Sequence, residues 1–200
     1  MSAASHTHDQ EDASAAETKL VSSLYSLLAL TMRYPDPSFC NAQLLDTVES
    51  LLESLDWQDP LAEFRHWRIT TPGFLDDLRT EYTRLFITAS PRSTILPYAS
   101  IYIDGSGTLC GPTTGRTRDF YRDYGYDLAD TTELADHISI ELDFLAAVTA
   151  EGQTEAEELF LQTLFRPWFE RFQQSSIQEA RHPFYKVSIQ LIDFFTKEEQ

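Results

Sequence analysis

The segment TTELADHISIELDF, from Thr131 to Phe144, has the pattern of a helix with an unusual charge. The apolar residues in and just after it form one stripe on a helical wheel, made of Leu134, Ile138, Leu142 and Leu145. The segment also carries one histidine and four acidic residues, but neither Lys nor Arg. We therefore predict an acidic helix that is capped by Asp130 or Thr131, buries this stripe and runs to about residue 150.

The excess of acidic residues extends well beyond this segment. Between Arg122 and Arg166 the only basic side chain is His137, whereas eleven residues are acidic. Surface helices usually mix both signs, because acid–base pairs four residues apart each add a few tenths of a kcal/mol, roughly. Here the counter-charge must come from the solvent or from a cationic partner.

The composition is that of a globular protein, and it excludes several classes of partner. The chain has 200 residues, of which 42% are hydrophobic and 12% aromatic, enough for one domain with a sizeable core. The formal net charge of -17 argues against nucleic acid, whose binding needs Lys and Arg, and equally against an anionic membrane surface. Only three residues are Lys, so adaptation to a high-salt cytoplasm is an alternative explanation of the acidity.

The amino terminus does not have the features of a signal peptide. Residues 1–14 are small, polar and acidic, so we expect a disordered tail there and one all-helical domain over residues 15–200. The cationic start and apolar run of a signal peptide are missing, and no stretch reaches the roughly 18 apolar residues of a membrane span. Cys40 and Cys110 form no CxxC motif, and free thiols are expected. We predict a cytoplasmic protein without membrane insertion.

Helical periodicity recurs along the rest of the chain. Further helices are predicted at about residues 15–33, 40–55, 59–67, 73–88, 113–124, 154–175 and 183–198. An irregular segment rich in Pro and Gly occupies residues 89–112. Connections of that length are uncommon inside a compact domain and are often functional. The predicted fold is a single compact all-α domain of about eight to ten helices.

His137 lies beside the apolar stripe and four residues before Glu141, so we expect both at the boundary between core and water. Three interpretations of His137 stay open. It can be a structural histidine paired with Glu141, or a metal ligand together with Glu141, although two ligands are too few for a metal site. It can also line a binding surface for a cationic ligand, which the surrounding negative charge favours.

The other motifs give little support to catalysis. The chain contains no GxSxG element and no Cys–His signature, and its loop at Gly105–Gly111 lacks the Lys-Ser/Thr step of a phosphate-binding loop. Aromatic residues cluster near the irregular segment. Among them, Tyr98 follows Pro97 in an extended stretch where an exposed ring could hold an apolar peptide.

Four motifs of the chain resemble those of a known family. They are YTRLF at residues 82–86, PYASIY at 97–102, FYRDYG at 120–125 and DHISIELDF at 136–144. In order and spacing they resemble the TorD/DmsD/NarJ family of redox-enzyme maturation chaperones.

The resemblance implies an all-helical cytosolic protein that binds the twin-arginine leader of a molybdenum enzyme subunit and holds that subunit until its molybdopterin cofactor is inserted. The leader-binding surface that it implies consists of Tyr82, Leu85, Phe86, Pro97, Tyr98, Asp136 and His137. Such a leader has two arginines and an apolar run. We therefore expect Asp136 and Glu141 to bind guanidinium groups, and the ring of Tyr98 to be presented to the apolar run.

Taken together, the residues and the resemblance predict a chaperone with no catalytic activity, metal or cofactor of its own, whose partner is the catalytic subunit of a molybdoenzyme. One alternative is a helical metal-dependent enzyme that uses His137 and Glu141. Another is a NarJ-like assembly factor for a nitrate-reductase-type subunit that is not exported. A monomer and a dimer made by exchange of helices are both compatible with the sequence.

Overall fold

The computed structural model describes residues 3–88, 95–105, 107–128 and 132–197, with the backbone alone for residues 3–14. Within these ranges the chain forms helices joined by turns and loops, and the only β pairing is an isolated antiparallel bridge between Tyr98 and His137. The predicted class, a single all-α fold of about eight to ten helices, is confirmed.

The helices follow one another as α1 (Ala3–Thr31), α2 (Ala42–Ser54), α3 (Gln58–Thr70), α4 (Phe74–Tyr82), α5 (Ala99–Ile103), α6 (Pro112–Asp123), α7 (Ile138–Ala150), α8 (Thr154–Phe160), α9 (Arg166–Glu179) and α10 (Pro183–Thr196). A wide π-helical turn, Thr83–Ile87, extends α4, and a second one, Leu161–Phe165, joins α8 to α9.

Because no side chain is described before residue 15, the expected disorder of residues 1–14 stays a prediction. None of the described helices is both long and apolar enough to span a lipid bilayer.

Helix α7 lies in the core of the fold and packs along α1. Most of its side chains are buried, among them Leu142, Phe144 and Leu145. A helix that is apolar on nearly all sides belongs inside a protein, where each large apolar side chain stabilises the fold by roughly 1.5–3 kcal/mol. The expectation of an acidic helix with a single buried stripe is therefore wrong, because this segment forms a central element of the core.

Helix α7 also begins later than predicted. The expected caps, Asp130 and Thr131, lie outside the described residues, and residues 132–137 are not helical. The N-cap position is occupied by His137, whose backbone is extended and whose Nδ1 accepts the Ser139 N–H at 3.2 Å. A side chain that accepts this bond satisfies one of the first N–H groups of the helix, as Ser or Asp does at an ordinary N-cap.

Residues 89–112 contain a short helix, α5, that the sequence analysis missed, while residues 89–94 and 106 lie outside the described part. Five residues are too few to show helical periodicity. The predicted helix at 154–175 is divided by the turn Leu161–Phe165. Pro167, in the first turn of α9, has no backbone N–H to donate, so the hydrogen-bond ladder is interrupted there.

Candidate functional site

A groove of about 1160 Å³ is bounded by α1, α7, the turn after α4 and the chain that precedes α7. Five of the predicted site residues line it, namely Tyr82, Phe86, Pro97, Tyr98 and His137. Its lining also includes Arg33, Tyr34, Ile87, Tyr126, Leu128, Glu133, Ile140 and Asp143, and small residues such as Ser22, Ser26, Ala146, Ala147 and Ala150. The fold thus brings three of the four sequence motifs to one concave surface.

Two backbone hydrogen bonds hold the Tyr98 segment against the start of α7. Ile138 N–H donates to Pro97 O at 2.9 Å, and Ala99 N–H donates to Asp136 O at 3.0 Å. These bonds satisfy backbone groups on both segments, which are distant in the sequence. The rings of Tyr98 and His137 meet edge to face with centroids 4.8 Å apart. The two predicted site residues are therefore fixed relative to each other.

Glu133 accepts hydrogen bonds from both of these rings. Tyr98 Oη donates to its Oε2 at 3.0 Å, and His137 Nε2 lies 3.3 Å from the same oxygen. Since His137 Nδ1 accepts the Ser139 N–H, the proton of the imidazole belongs on Nε2, which faces Glu133. Burial, and in addition the nearby cation of Arg33, lower the pKa of His137 to about 3. His137 is accordingly neutral at pH 7 and adds no cation to the groove.

Aromatic and aliphatic side chains form a rim beside these polar groups. Tyr34 meets Tyr82 edge to face at 5.5 Å between centroids, and Tyr82 meets Phe86 in the same way at 5.0 Å. Tyr82 and Phe86 are themselves buried, whereas Tyr34 is 48% exposed and Ile87 is 54% exposed. The groove therefore offers accessible apolar surface next to its carboxylates.

A second carboxylate, Asp143, lies in the groove on α7 and is paired with Arg33, which follows the end of α1. The side chain of Asp143 is 24% exposed and that of Arg33 is 40% exposed. Burial raises the pKa of the Asp143 carboxyl by more than Arg33 lowers it. Among the described residues that line the groove, Arg33 is the only Lys or Arg.

Asp136 does not face the groove, contrary to expectation. Its side chain is fully buried, and its Oδ2 accepts the Ser100 N–H at 2.8 Å. Ser100 lies in the first turn of α5, where backbone N–H groups have no partner within the helix. Asp136 therefore supports α5 from below the surface, and its carboxylate does not lie at the groove, where the sequence analysis expected it.

Glu141 is also buried rather than placed at the boundary between core and water. Its Oε2 accepts the Trp168 Nε1–H at 3.1 Å, while the ring of His137 contacts Ser139 and Glu133 instead. Burial, reinforced by the negative charge of Asp136, raises the pKa of Glu141 well above its usual value. The expected side-chain pair of His137 and Glu141 is therefore replaced by separate contacts.

Leu85 is the remaining predicted site residue that is absent from the groove lining. It is 1% exposed and belongs to the core, with its carbonyl accepting the Ile95 N–H at 3.3 Å. Its neighbour Phe86 packs in the same core but also reaches the groove. Leu85 thus points into the core, whereas Phe86 and Ile87 both reach the groove.

The described residues contain no group of three or more His, Cys, Asp or Glu side chains arranged to hold a metal ion. The groove instead offers negative charge and an apolar concave surface, which suit binding. Its carboxylates can accept hydrogen bonds from a guanidinium, and its rim can cover apolar side chains.

Among the groove residues that the sequence analysis did not predict, four determine its charge and its rim, namely Arg33, Tyr34, Glu133 and Asp143. Both acids lie in the opening segment, but neither was assigned a role there, and Glu133 precedes the start of α7 at Ile138. Arg33 and Tyr34 directly precede Pro35 after α1, and their contacts, with Asp143 and Tyr82 respectively, are long-range and have no local signal in one sequence.

Comparison with known proteins identifies relatives of this chain. Residues 42–174 match the family model described as the nitrate reductase delta subunit. The chaperone protein TorD of Photobacterium profundum is 29% identical over 154 residues, which cover 69% of this chain and 70% of that protein. TorD of Aliivibrio fischeri is 30% identical over 133 residues, or 60% of this chain and 61% of that protein. The matched region thus spans less than two thirds of the Aliivibrio fischeri protein.

Two further matches extend this picture. The Tat proofreading chaperone DmsD of Salmonella typhimurium is 36% identical over 98 residues, which cover 48% of this chain and 47% of that protein. A crystal structure from Archaeoglobus fulgidus, described as a redox enzyme maturation protein, superposes with a TM-score of 0.59 at 25% identity. That superposition covers 88% of this chain and 94% of the other.

Proposed function

This chain belongs to the nitrate reductase delta subunit family, and from that premise we propose that it is a maturation chaperone for the catalytic subunit of a molybdoenzyme. In this proposal the groove between α1 and α7 binds the twin-arginine leader of that subunit before the cofactor is inserted. The names of the relatives support the chaperone class, since they include the TorD chaperones and a Tat proofreading chaperone. The protein acts by binding in the cytoplasm and not by catalysis.

The observation that carries the proposal is the combination of carboxylates and exposed apolar side chains in one groove. Glu133 and Asp143 line it, together with Tyr34 and Ile87. A carboxylate pairs with a guanidinium through short, charge-assisted hydrogen bonds, which become stronger where water is partly excluded. Glu133 and Asp143 therefore take the part that the sequence analysis gave to Asp136 and Glu141.

In this proposal the apolar run of the leader binds at the rim made by Tyr34, Ile87 and the edge of Phe86. Burying one large apolar side chain of a peptide contributes roughly 1.5–3 kcal/mol when water is fully removed. Tyr98 completes this surface, because its half-buried ring contacts the ring of His137 and lines the groove. A ligand with two cationic residues and an adjacent apolar run fits both halves of the groove.

The test is calorimetric titration of the protein with two peptides. One carries two arginines and an apolar run, and in the other both arginines are replaced by glutamine. We expect the arginine peptide to bind roughly tenfold or more tightly, since each guanidinium loses a charged partner in the exchange. Equal affinity for the two peptides would contradict the proposal that the groove binds a twin-arginine leader.

A pair of variants shows whether the groove is responsible. Glu133→Gln should weaken binding of the arginine peptide but leave binding of the glutamine peptide unchanged. Glu53→Gln is the matched control, because Glu53 lies at the end of α2, outside the groove lining, with a similarly exposed side chain. A client that lacks an arginine pair and still co-purifies with the protein would instead favour the assembly factor for a subunit that is not exported.

A further inference from the structure

The ion pair between Arg33 and Asp143 places a guanidinium inside the groove that is proposed to receive the arginines of a partner. We propose that Arg33 is an internal stand-in for a leader arginine: it occupies Asp143 in the free protein, and an arginine of the bound leader displaces it. This inference rests on the proposed function. In it, Asp143 is the carboxylate that binds a leader arginine and Arg33 is the group that competes for it, and together they set the selectivity of the groove for arginine peptides.

The position of Asp143 fits a site for an external guanidinium. It lies on the same face of α7 as Ser139 and Ala147, both of which line the groove, so an extended peptide along this helix passes over it. Its side chain is three-quarters buried, and burial raises the pKa of its carboxyl. A carboxylate in such surroundings gains from a cation beside it, because the charge is less well solvated there than on an open surface.

Arg33 is suited to leave Asp143. Its backbone lies beyond the end of α1 at Thr31, and its side chain is 40% exposed, so the guanidinium can move into water without opening the core. Because the guanidinium side of the pair is accessible to water, Arg33 regains hydration when it leaves Asp143. Displacement exchanges one arginine–carboxylate pair for another, so the internal pair costs little affinity for arginine peptides. For a peptide without arginine, nothing replaces the lost pair, and binding is disfavoured.

The inference predicts a change of opposite sign for the two halves of the pair. Arg33→Ala should tighten binding of the arginine peptide by about two- to fivefold, because the competitor is gone. Asp143→Asn should weaken it by roughly tenfold. The double variant should bind like Asp143→Asn alone, since Arg33 acts only through Asp143.

Two controls separate displacement from other effects of charge. Arg65→Ala removes one positive charge from an ion pair on α3, outside the groove, where the side chain is 44% exposed, and should leave affinity unchanged. Arg33→Lys keeps the charge but loses the planar fork that matches a carboxylate, and it should tighten binding by less than Arg33→Ala. If Arg65→Ala tightens binding as much as Arg33→Ala does, general repulsion and not occupancy of Asp143 is the cause, and the inference falls.

Weaker or unchanged binding in Arg33→Ala also overturns the inference, and in that case the proposed function still stands if the arginine peptide binds the parent protein. If the parent protein does not bind the arginine peptide, the proposed function fails instead. The parent protein and Asp143→Asn, titrated with arginine amide and followed by the NMR signal of the Arg33 Nε–H, then decide the inference independently. A shift of that signal on titration, lost in Asp143→Asn, supports displacement, and no shift contradicts it.

Discussion

At the scale of single residues, the neutral state of His137 determines how the groove is charged. The imidazole is buried, its Nδ1 caps α7 through the Ser139 N–H, and its Nε2 faces Glu133. Protonation at Nδ1 would remove this acceptor and break the cap. The side chain is therefore a structural part of the site that presents Glu133, in agreement with the low pKa that burial gives it.

This arrangement predicts a specific dependence of stability on pH. Because the folded-state pKa of His137 is lowered to about 3, the unfolded chain binds a proton at this residue below pH 6.5 that the folded chain does not. The free energy of unfolding should therefore fall as pH decreases from 6.5 towards 3, by up to about 1.4 kcal/mol per pH unit from this group. Above pH 6.5 the contribution is flat.

The measurement is urea denaturation at several pH values, for the parent protein and for His137→Asn. Asparagine can still cap α7 but does not titrate, so the variant should show a shallower slope below pH 6.5. His66→Asn, on the exposed surface of α3, is the control for the exchange itself. An unchanged slope in His137→Asn would mean that the imidazole takes up its proton in the folded protein, which contradicts a neutral His137.

At the scale of elements, the short helix α5 is supported from outside by the segment before α7. Both the carbonyl and the carboxylate of Asp136 accept N–H groups at the start of α5, from Ala99 and Ser100. A helix of five residues is marginal by itself, so its order depends on such contacts. The DHISIELDF motif thus connects two elements, although it was expected to present charges to a ligand.

Removing the Asp136 side chain should loosen α5 before it affects the rest of the fold. Asp136→Ala leaves the buried Ser100 N–H without an acceptor, and we expect a loss of about 1–2 kcal/mol in the free energy of unfolding. Asp136→Asn keeps an acceptor oxygen in the same place and should lose less. Hydrogen exchange at Ser100 should accelerate in the alanine variant more than exchange in α7. Equal protection of Ser100 in all three proteins would show that Asp136 is not the support.

The sequence predicted the helices well where apolar residues recur at helical spacing over several turns, as in α2 and α10. It failed at α7, because a core helix is apolar on nearly all sides and periodicity cannot locate its start. The actual start depends on the pairing of His137 with Tyr98, a contact between segments far apart in the chain. Asp136 and Glu141 were expected to contact a ligand because of the family resemblance and the acidity of the motif, whereas no such contact was expected of Glu133 and Asp143, which reach the groove.

At the scale of the whole molecule, two explanations of the net charge of -17 make different predictions. If the negative charge serves ligand binding, replacing one of a few carboxylates, such as Glu133 or Asp143, should weaken binding. Adaptation to a high-salt cytoplasm spreads the charge over the surface, so that stability rises steeply with salt while no single acid matters for binding. The peptide titrations with Glu133→Gln and Glu53→Gln distinguish these explanations.

A second apolar surface is an alternative binding site for an apolar peptide. Trp57 and Phe194 meet edge to face at 5.6 Å, and Phe194 is 48% exposed. They line a separate cavity of about 780 Å³ near the carboxyl-terminal end of α10. An apolar peptide could bind there without using the groove, but among the described residues that line this cavity Asp193 is the only carboxylate.

Photo-crosslinking therefore tests the central claim most directly. An arginine-pair leader peptide that carries a photoreactive group in its apolar run is bound to the protein, irradiated and mapped by mass spectrometry. The account predicts crosslinks to the groove, at Tyr34, Ile87 or Tyr98, which disappear when the unlabelled arginine peptide is added in excess. Crosslinks at Trp57 and Phe194, with none in the groove, would contradict it.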